Sequence, residues 1–298
     1  MTIWGTVLSR NGSSYRVATD EGEVPAVLRG RVKRDKPRVV VGDRVELDRG
    51  EDTYGIASVA ERRTLLERRM PHGRGAKPIA ANIDEVMVVT ATRDPAPIPQ
   101  LLDRLFVIAE VNSLPAALLL NKTDLDPGEA LAERFTRAGY PVFRAAVKQE
   151  KGIDAIRKHL AGRTTVLTGP SGAGKSSLVN ALEPGLKLRV GAISERSGRG
   201  TQTTVSAVMI PLAIGGFLVD TPGFSEVGLW GVVPREMASC FPEMRNLIDR
   251  CKYADCKHLI EPGCAILAAV KSGEIAPDRW ESYRRLLDET ETEPKEWE

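Results

Sequence analysis

Gly169-Pro170-Ser171-Gly172-Ala173-Gly174-Lys175-Ser176 is the stretch on which the reading of this chain turns. It fits the phosphate-binding loop pattern G-x4-G-K-[ST]. An apolar strand pattern (Val166, Leu167) precedes it and a helical one (Ser177, Leu178, Val179, Asn180) follows. Glycines let backbone N–H groups converge on phosphates, and a helix N-terminus adds the positive end of its dipole. In that geometry Lys175 reaches the β- and γ-phosphates and the Ser176 hydroxyl ligates Mg2+. The loop alone leaves GTP and ATP open, and hydrolase and kinase likewise.

Two further motifs bear on that choice. Asp220-Thr221-Pro222-Gly223 closes an apolar run, placing a Mg2+-linked carboxylate and a γ-phosphate-sensing glycine amide at a strand tip. Asn121-Lys122-Thr123-Asp124 closes another and matches the guanine-specificity pattern N-K-x-D. A carboxylate at Asp124 accepts both N1–H and the exocyclic N2–H of guanine, a pair of donors that adenine lacks. Asn121 is expected to steady the neighbouring loops, and the Lys122 stem to pack over the base. These motifs argue against the kinase reading. Apolar runs at 86–89, 116–120, 164–167 and 217–219 read as buried parallel strands, with helical patterns at 98–111, 127–138 and 153–160 between them. For the second helix Asp126 is the expected N-cap, with Pro127 at its first position and Gly139 just past its end. Strand–helix alternation gives a doubly wound α/β domain.

Residues 1–62 read as five short strands (3–8, 15–19, 24–28, 39–47 and 56–59) with turn signals at Asn11-Gly12, Glu21-Gly22, Gly42-Asp43 and Gly50. Five strands in so short a span suit a small barrel, of which the OB-fold is the commonest. Such a barrel serves nucleic acid or protein docking, and charge favours nucleic acid. The chain has a net charge of +2. Residues 29–38 nevertheless hold Arg29, Arg31, Lys33, Arg34, Lys36 and Arg38 against Asp35, and residues 62–77 hold six more bases against Glu67. Together these stretches carry +10, so the rest sums to −8, a distribution that points to a polyanion partner. The far end is acidic from Asp288 onward and reads as frayed.

Beyond about residue 231 the pattern turns helical (near 234–249, 264–272 and 277–288) around Cys251, Cys256, His258 and Cys264, spaced C-x4-C-x-H-x5-C. Three thiolates and an imidazole suit a closed tetrahedral Zn2+ site, one per chain, which leaves no open position and is therefore structural. Cys240 reads as a buried apolar residue, and His72 and His159 receive no role. With 298 residues, no run long enough to span a bilayer, no basic-then-apolar leader at Met1-Thr2-Ile3-Trp4-Gly5 and only four cysteines, the expectation is a cytoplasmic multi-domain protein.

Motif order is the most specific signal: the specificity motif (121–124) precedes the phosphate loop (169–176), which precedes D-T-P-G (220–223), a circular permutation of the usual GTPase sheet. With the barrel in front, the cysteine cluster behind, the lead-in Ala80-Ala81-Asn82-Ile83-Asp84 and the pair Asp103-Arg104, the chain resembles the circularly permuted GTPase family RsgA (YjeQ/YloQ). The resemblance implies an OB-fold RNA-binding domain over 1–62, a permuted GTPase domain over 63–230 and a helical zinc-binding domain over 231–298. It implies GTP and GDP as ligands and the small ribosomal subunit with its ribosomal RNA as partner. It further implies a monomer, no membrane, and hydrolysis coupled to release from the subunit. A different class, a nucleotide-gated RNA-binding module with incidental hydrolysis, stays as the alternative. By the same resemblance Thr203 and Thr204 lie in switch I, one of them on Mg2+, and are catalytic with Lys175 and Gly223. Ala145-Ala146 stands where the family has a base-binding Ser-Ala, Gln202 where it has His, and Phe224 where Ras-like enzymes have the water-orienting Gln. With D-T-P-G late in its domain, switch II is expected to lead into the zinc domain and to reposition it when the γ-phosphate is lost.

Overall fold

The computed structural model describes residues 3–29, 38–50, 53–69, 75–186, 207–221, 229 and 232–292. Five strands, β1 (Ile3–Asn11), β2 (Ser14–Thr19), β3 (Gly22–Leu28), β4 (Arg44–Arg49) and β5 (Tyr54–Val59), close into a barrel in the order β1-β2-β3-β5-β4. Period-two alternation sends Val7, Tyr15, Val17, Ala26, Val45, Leu47 and Ile56 inward, where they form a core of their own. Gly5 is required where β1 crosses β2: a Cβ there would lie 2.5 Å from Val17. The strand expected over 39–47 starts only at Arg44. Gly42 (φ +87°) turns the chain, and the buried Asp43 carboxylate accepts the Val40 N–H at 2.8 Å and is paired with Arg62 at 2.7 Å.

A hairpin that the sequence pattern does not announce, β6 (Leu65–Arg69) with β7 (Ala76–Ala81), joins barrel to sheet. Val41 bridges Ala80, and Gly42 packs against Ala81 so closely that a Cβ would meet its carbonyl oxygen at 2.0 Å. The main sheet runs β10-β9-β8-β11-β13-β12, with β8 (Glu85–Ala91), β9 (Ala116–Asn121), β10 (Val142–Arg144), β11 (Thr164–Thr168), β12 (Val208–Pro211) and β13 (Phe217–Asp220). Only β12 is antiparallel. β8 and β9 are buried along their whole length, as strands with apolar runs at 86–89 and 116–120 between two helix layers should be. Helices α1 (Pro99–Val111), α2 (Glu129–Arg137), α3 (Ile153–Leu160) and α4 (Lys175–Leu182) flank the sheet. α2 begins two residues later than expected. Asp126 accepts the Gly128 N–H at 2.8 Å in a local turn, and Gly128, at φ +66°, is the residue before the helix.

The helix pattern near 234–249 is broken into a 3-10 segment (Pro234–Cys240), the single turn α5 (Pro242–Arg245) and a second 3-10 turn (Ile248–Arg250). Pro242 holds Phe241 extended and so interrupts the run. Then come α6 (Ala265–Ser272) and α7 (Pro277–Thr292). α7 corrects the expectation of a frayed acidic end up to Thr292, since Glu289 forms a two-pronged ion pair with Arg104 of α1 and Glu291 pairs with Lys257 at 2.7 Å. Cys240 is buried as expected, and burial pushes its thiol up to about 11. This C-terminal region is not a body apart. Phe106, Phe135, Tyr140, Phe241, Met244, Ile266, Tyr283 and Leu286 belong to one apolar core that also holds Val86, Leu118 and Val166 of the sheet. Inside it the fully buried Asp103 is paired with Arg134 of α2 at 2.5 Å and with Arg279 of α7. A C-terminal region that swings on loss of the γ-phosphate would have to open this core.

Candidate nucleotide site and metal centre

Parallel registers bring the motifs to one edge of the sheet. Ala91 pairs with Asn121 and Leu167 with Asp220, so the ends of β8, β9, β11 and β13 share one rim, the place where open α/β sheets bind ligands. The phosphate loop spans that rim between β11 and α4. Gly169 (φ +139°) leaves the strand so tightly that a Cβ would overlap the Val89 carbonyl at 1.9 Å. Gly174 (φ +97°) admits the Asn121 side chain, whose Nδ2 would lie 2.1 Å from a Cβ. Lys175, first residue of α4, donates to the Gly169 and Pro170 carbonyls at 2.7 and 2.9 Å. Burial lowers its pKa and the nearby Asp220 opposes that shift.

Asn121 is the hub. Its amide donates to the Ala173 carbonyl at 2.9 Å, and its Oδ1 accepts the Lys122 and Val147 N–H groups at 2.8 and 3.2 Å. One buried side chain thus ties the phosphate loop, the specificity motif and the 145–147 loop. Lys122 takes a left-handed backbone (φ +61°) and its ammonium contacts the Asp94 carbonyl. Thr123 N–H donates to Ala145 at 3.1 Å, and the Asp124 carboxylate accepts Gln149 Nε2 at 3.2 Å. No motif singles out Gln149, because it becomes a neighbour of Asp124 only through the turn at 146–151. Ala145 and Ala146 line the loop, but their N–H groups already donate to Leu120 (2.8 Å) and Lys151 (3.1 Å). They contribute a buried wall rather than free donors.

The magnesium ligands can be tested for fit. Ser176 and Asp220 are buried at the rim, and Thr168 Oγ1 and Thr221 Oγ1, flanking them on β11 and after β13, are buried without a hydrogen-bond partner among the described residues. Hard oxygen donors gathered at the phosphate loop suit Mg2+. Thr203, Thr204, Gln202, Gly223 and Phe224 lie outside the described residues.

Cys251, Cys256, His258 and Cys264 do converge, with all four ligand atoms within 4.8 Å of one another. Cys251 Sγ and Cys264 Sγ lie 3.4 and 3.5 Å from His258 Nδ1 and 3.9 Å from each other. Tetrahedral Zn2+, with bonds of about 2.3 Å to sulfur and about 2.0 Å to nitrogen, sets such edges at about 3.5–3.8 Å. The cluster fits that ion. Local backbone geometry fixes the ligand positions: Cys264 caps α6, its sulfur accepting the Leu267 N–H at 3.4 Å, and His258 is held at φ +60°. Glu261 accepts the N–H groups of Lys257, Leu259 and Ile260 at 2.8–3.0 Å. Burial raises the Glu261 pKa, and the backbone N–H groups outweigh it, holding the carboxyl at about 2.

Of the basic residues expected to meet RNA, Arg29 is paired with Asp48 at 2.7 Å and half-exposed, and the Arg38 carbonyl accepts from Arg62 at 2.8 Å. Arg31, Lys33, Arg34 and Lys36 lie outside the described residues. In the second basic stretch Arg62 and Arg63 are held by Asp43 and Asp84. His159, to which the sequence assigns no role, contacts the buried Glu85 at 2.7 Å at the far end of the sheet.

Among the described residues no helix is long and apolar enough to cross a membrane. The RsgA GTPase family model matches residues 59–230. A Gemmatimonas aurantiaca protein named small ribosomal subunit biogenesis GTPase RsgA is 45% identical over 296 residues, covering 96% of each chain. A protein of the same name from Moorella thermoacetica is 41% identical at the same coverage. The crystal structure of YjeQ from Thermotoga maritima superposes with a TM-score of 0.83 at 31% identity, covering 99% of this chain and 100% of that one. YloQ, described as a circularly permuted GTPase, gives 0.79 at 26% identity over 100% and 98%. The barrel, the permuted motif order and these matches place the chain in the RsgA GTPase family, and it is a GTP hydrolase.

Proposed function

We propose that this chain acts in ribosome biogenesis by binding the small ribosomal subunit, assisting its late maturation and using GTP hydrolysis to leave it. The observation that carries the nucleotide half is Asn121, whose three hydrogen bonds join guanine recognition to the phosphate loop. The ribosomal half is supported by the printed names of relatives that match nearly the whole chain.

In this reading residues 169–177 wrap the phosphates, and Asn121, Lys122, Thr123 and Asp124, with the Ala145–Ala146 wall, hold guanine. Ser176, Asp220 and one of Thr203 and Thr204 hold Mg2+, which when bound neutralises charge on the β- and γ-phosphates. Lys175 and the loop amides stabilise the charge that develops at the β–γ bridge, and the Gly223 amide senses the γ-phosphate. Phe224 has no group with which to orient water, so turnover by the isolated chain is slow. Arg29, Arg31, Lys33, Arg34, Lys36 and Arg38 supply the barrel's contact with ribosomal RNA. Zinc on Cys251, Cys256, His258 and Cys264 is structural. By sequence the chain divides into 1–62, 63–230 and 231–298, the family match over 59–230 supporting the middle part, while the last packs on it through a shared core. The protein works as a cytoplasmic monomer.

Co-sedimentation with purified small subunits tests the reading. Retention with a non-hydrolysable GTP analogue and release with GDP is the expected result. Absence from the subunit fraction with either nucleotide would remove the ribosomal partner and leave the GTPase standing.

A further inference from the structure

Helix α7 carries two stripes of side chains that do different things. Arg279, Ser282 and Glu289 face the GTPase helices. The Arg279 guanidinium donates to the fully buried Asp103 of α1 and to Glu243 of α5 at 2.6 and 3.2 Å. Arg134 of α2 donates to the second oxygen of Asp103 at 2.5 Å and to Ser282 Oγ at 3.3 Å. Glu289 grips Arg104, the residue after Asp103. Trp280, Tyr283 and Glu291, at i, i+3 and i+11, face the cysteine loop instead. The Trp280 indole N–H donates to the His258 carbonyl at 2.9 Å, and the Tyr283 hydroxyl to the Lys257 carbonyl at 2.7 Å. Glu291 pairs with the Lys257 ammonium at 2.7 Å.

Lys257 links two of the four candidate metal ligands, Cys256 and His258. The Lys257 and His258 carbonyl directions decide where those ligands point, above all because His258 sits in the left-handed region. Those directions are set by a helix which is itself set by an ion network buried against α1 and α2. Arg279 also lies over the Phe135 and Phe241 rings, 5.6 and 4.7 Å from their centroids, so its placement and the aromatic packing between the two regions are one arrangement.

We propose that α7 makes zinc binding and docking on the GTPase helices a single cooperative event. Asp103, Arg104, Arg279, Trp280 and Tyr283 are then positioning residues for a metal that none of them touches. The proposal rests on the zinc reading above. Linkage makes it reciprocal: whatever docking adds to zinc affinity, zinc adds to the stability of the docked GTPase core.

The test uses the full chain. Zinc affinity is read by competition with a chromophoric chelator in wild type, Arg104→Gln, Trp280→Phe and Tyr283→Phe, changes that each remove polar contacts and keep most of the packing. Arg279→Met is informative if it folds, and the milder three suffice if it does not. The second readout is the temperature at which a fluorescent GDP analogue is released, before and after zinc is stripped. Outer-shell partners commonly contribute about 10–100-fold to metal affinity, so Trp280→Phe with Tyr283→Phe should weaken zinc at least about tenfold. Stripping zinc should lower the release temperature in wild type and lower it less in that double variant. A wild-type chain with one zinc, whose affinity and release temperature respond to none of this, overturns the coupling alone. A wild-type chain that holds no zinc overturns the zinc reading and takes the coupling with it.

Discussion

Asn121 and Asp124 sit three residues apart and do unlike work. Asn121 is buried and fully engaged, so Asn121→Ala strands the Ala173 carbonyl and the Val147 N–H in the protein interior. Leaving two such groups unpaired should cost on the order of 2–5 kcal/mol, read as a lowered denaturant midpoint together with weakened GTP binding. Among the described residues the Asp124 carboxylate is hydrogen-bonded by Gln149 alone. Asp124→Asn should therefore spare the fold, weaken GTP by about 10–100-fold and favour xanthine nucleotides, whose C2 carbonyl suits the new amide. Unchanged GTP affinity in a nucleotide titration would remove Asp124 from the base site. Both residues are legible in the sequence because the motif names them. Gln149 is not, because its nearness to Asp124 depends on the Ala146–Lys151 bridge that folds the turn back. The engagement of the Ala145 and Ala146 amides is equally hidden, since a backbone donor's partner leaves no mark on residue type.

At the scale of elements, the barrel and the sheet strands are readable wherever alternation or an unbroken apolar run marks burial. β2, with Tyr15 and Val17 inward, and the fully buried β8 and β9 are examples. The β6–β7 hairpin escapes notice because β6 ends in Glu67-Arg68-Arg69, which reads as surface, and β7 carries Lys77 and a strand-breaking Pro78. The helix over 234–249 fails for a local reason, Pro242. The first basic stretch gives the prediction that belongs to this scale. Changing Arg31, Lys33 and Arg34 to Glu should weaken small-subunit binding and leave GTP affinity alone. Each RNA phosphate left without its protein cation lowers the log–log salt slope by about 0.7–0.9. Wild-type binding across a salt series would make the stretch a solvated face.

At the scale of the whole molecule, circular permutation and a buried ion network decide how the parts communicate. Motif order makes the permutation legible. The network is not, because Asp103, Arg134, Glu243 and Arg279 are scattered through the sequence and look like surface charges until α7 is packed. The shared core that surrounds them argues against the expected lever. Labels on α1 and α7 should keep the same separation with GDP and with a non-hydrolysable GTP analogue, and a nucleotide-dependent change would restore a moving zinc region. Asp103→Asn removes the charge facing two buried guanidiniums and should cost about 3–5 kcal/mol, checked by thermal unfolding. If this GTP hydrolase acts on the small ribosomal subunit as proposed, its turnover depends on which subunit is present, so GTP turnover is measured alone, with small subunits and with large subunits. Activating partners of GTPases act by factors of up to about 10³–10⁵, so small subunits should raise turnover at least about tenfold while large subunits leave it slow. Equal turnover in all three mixtures would mean that the small subunit is not what activates this hydrolase.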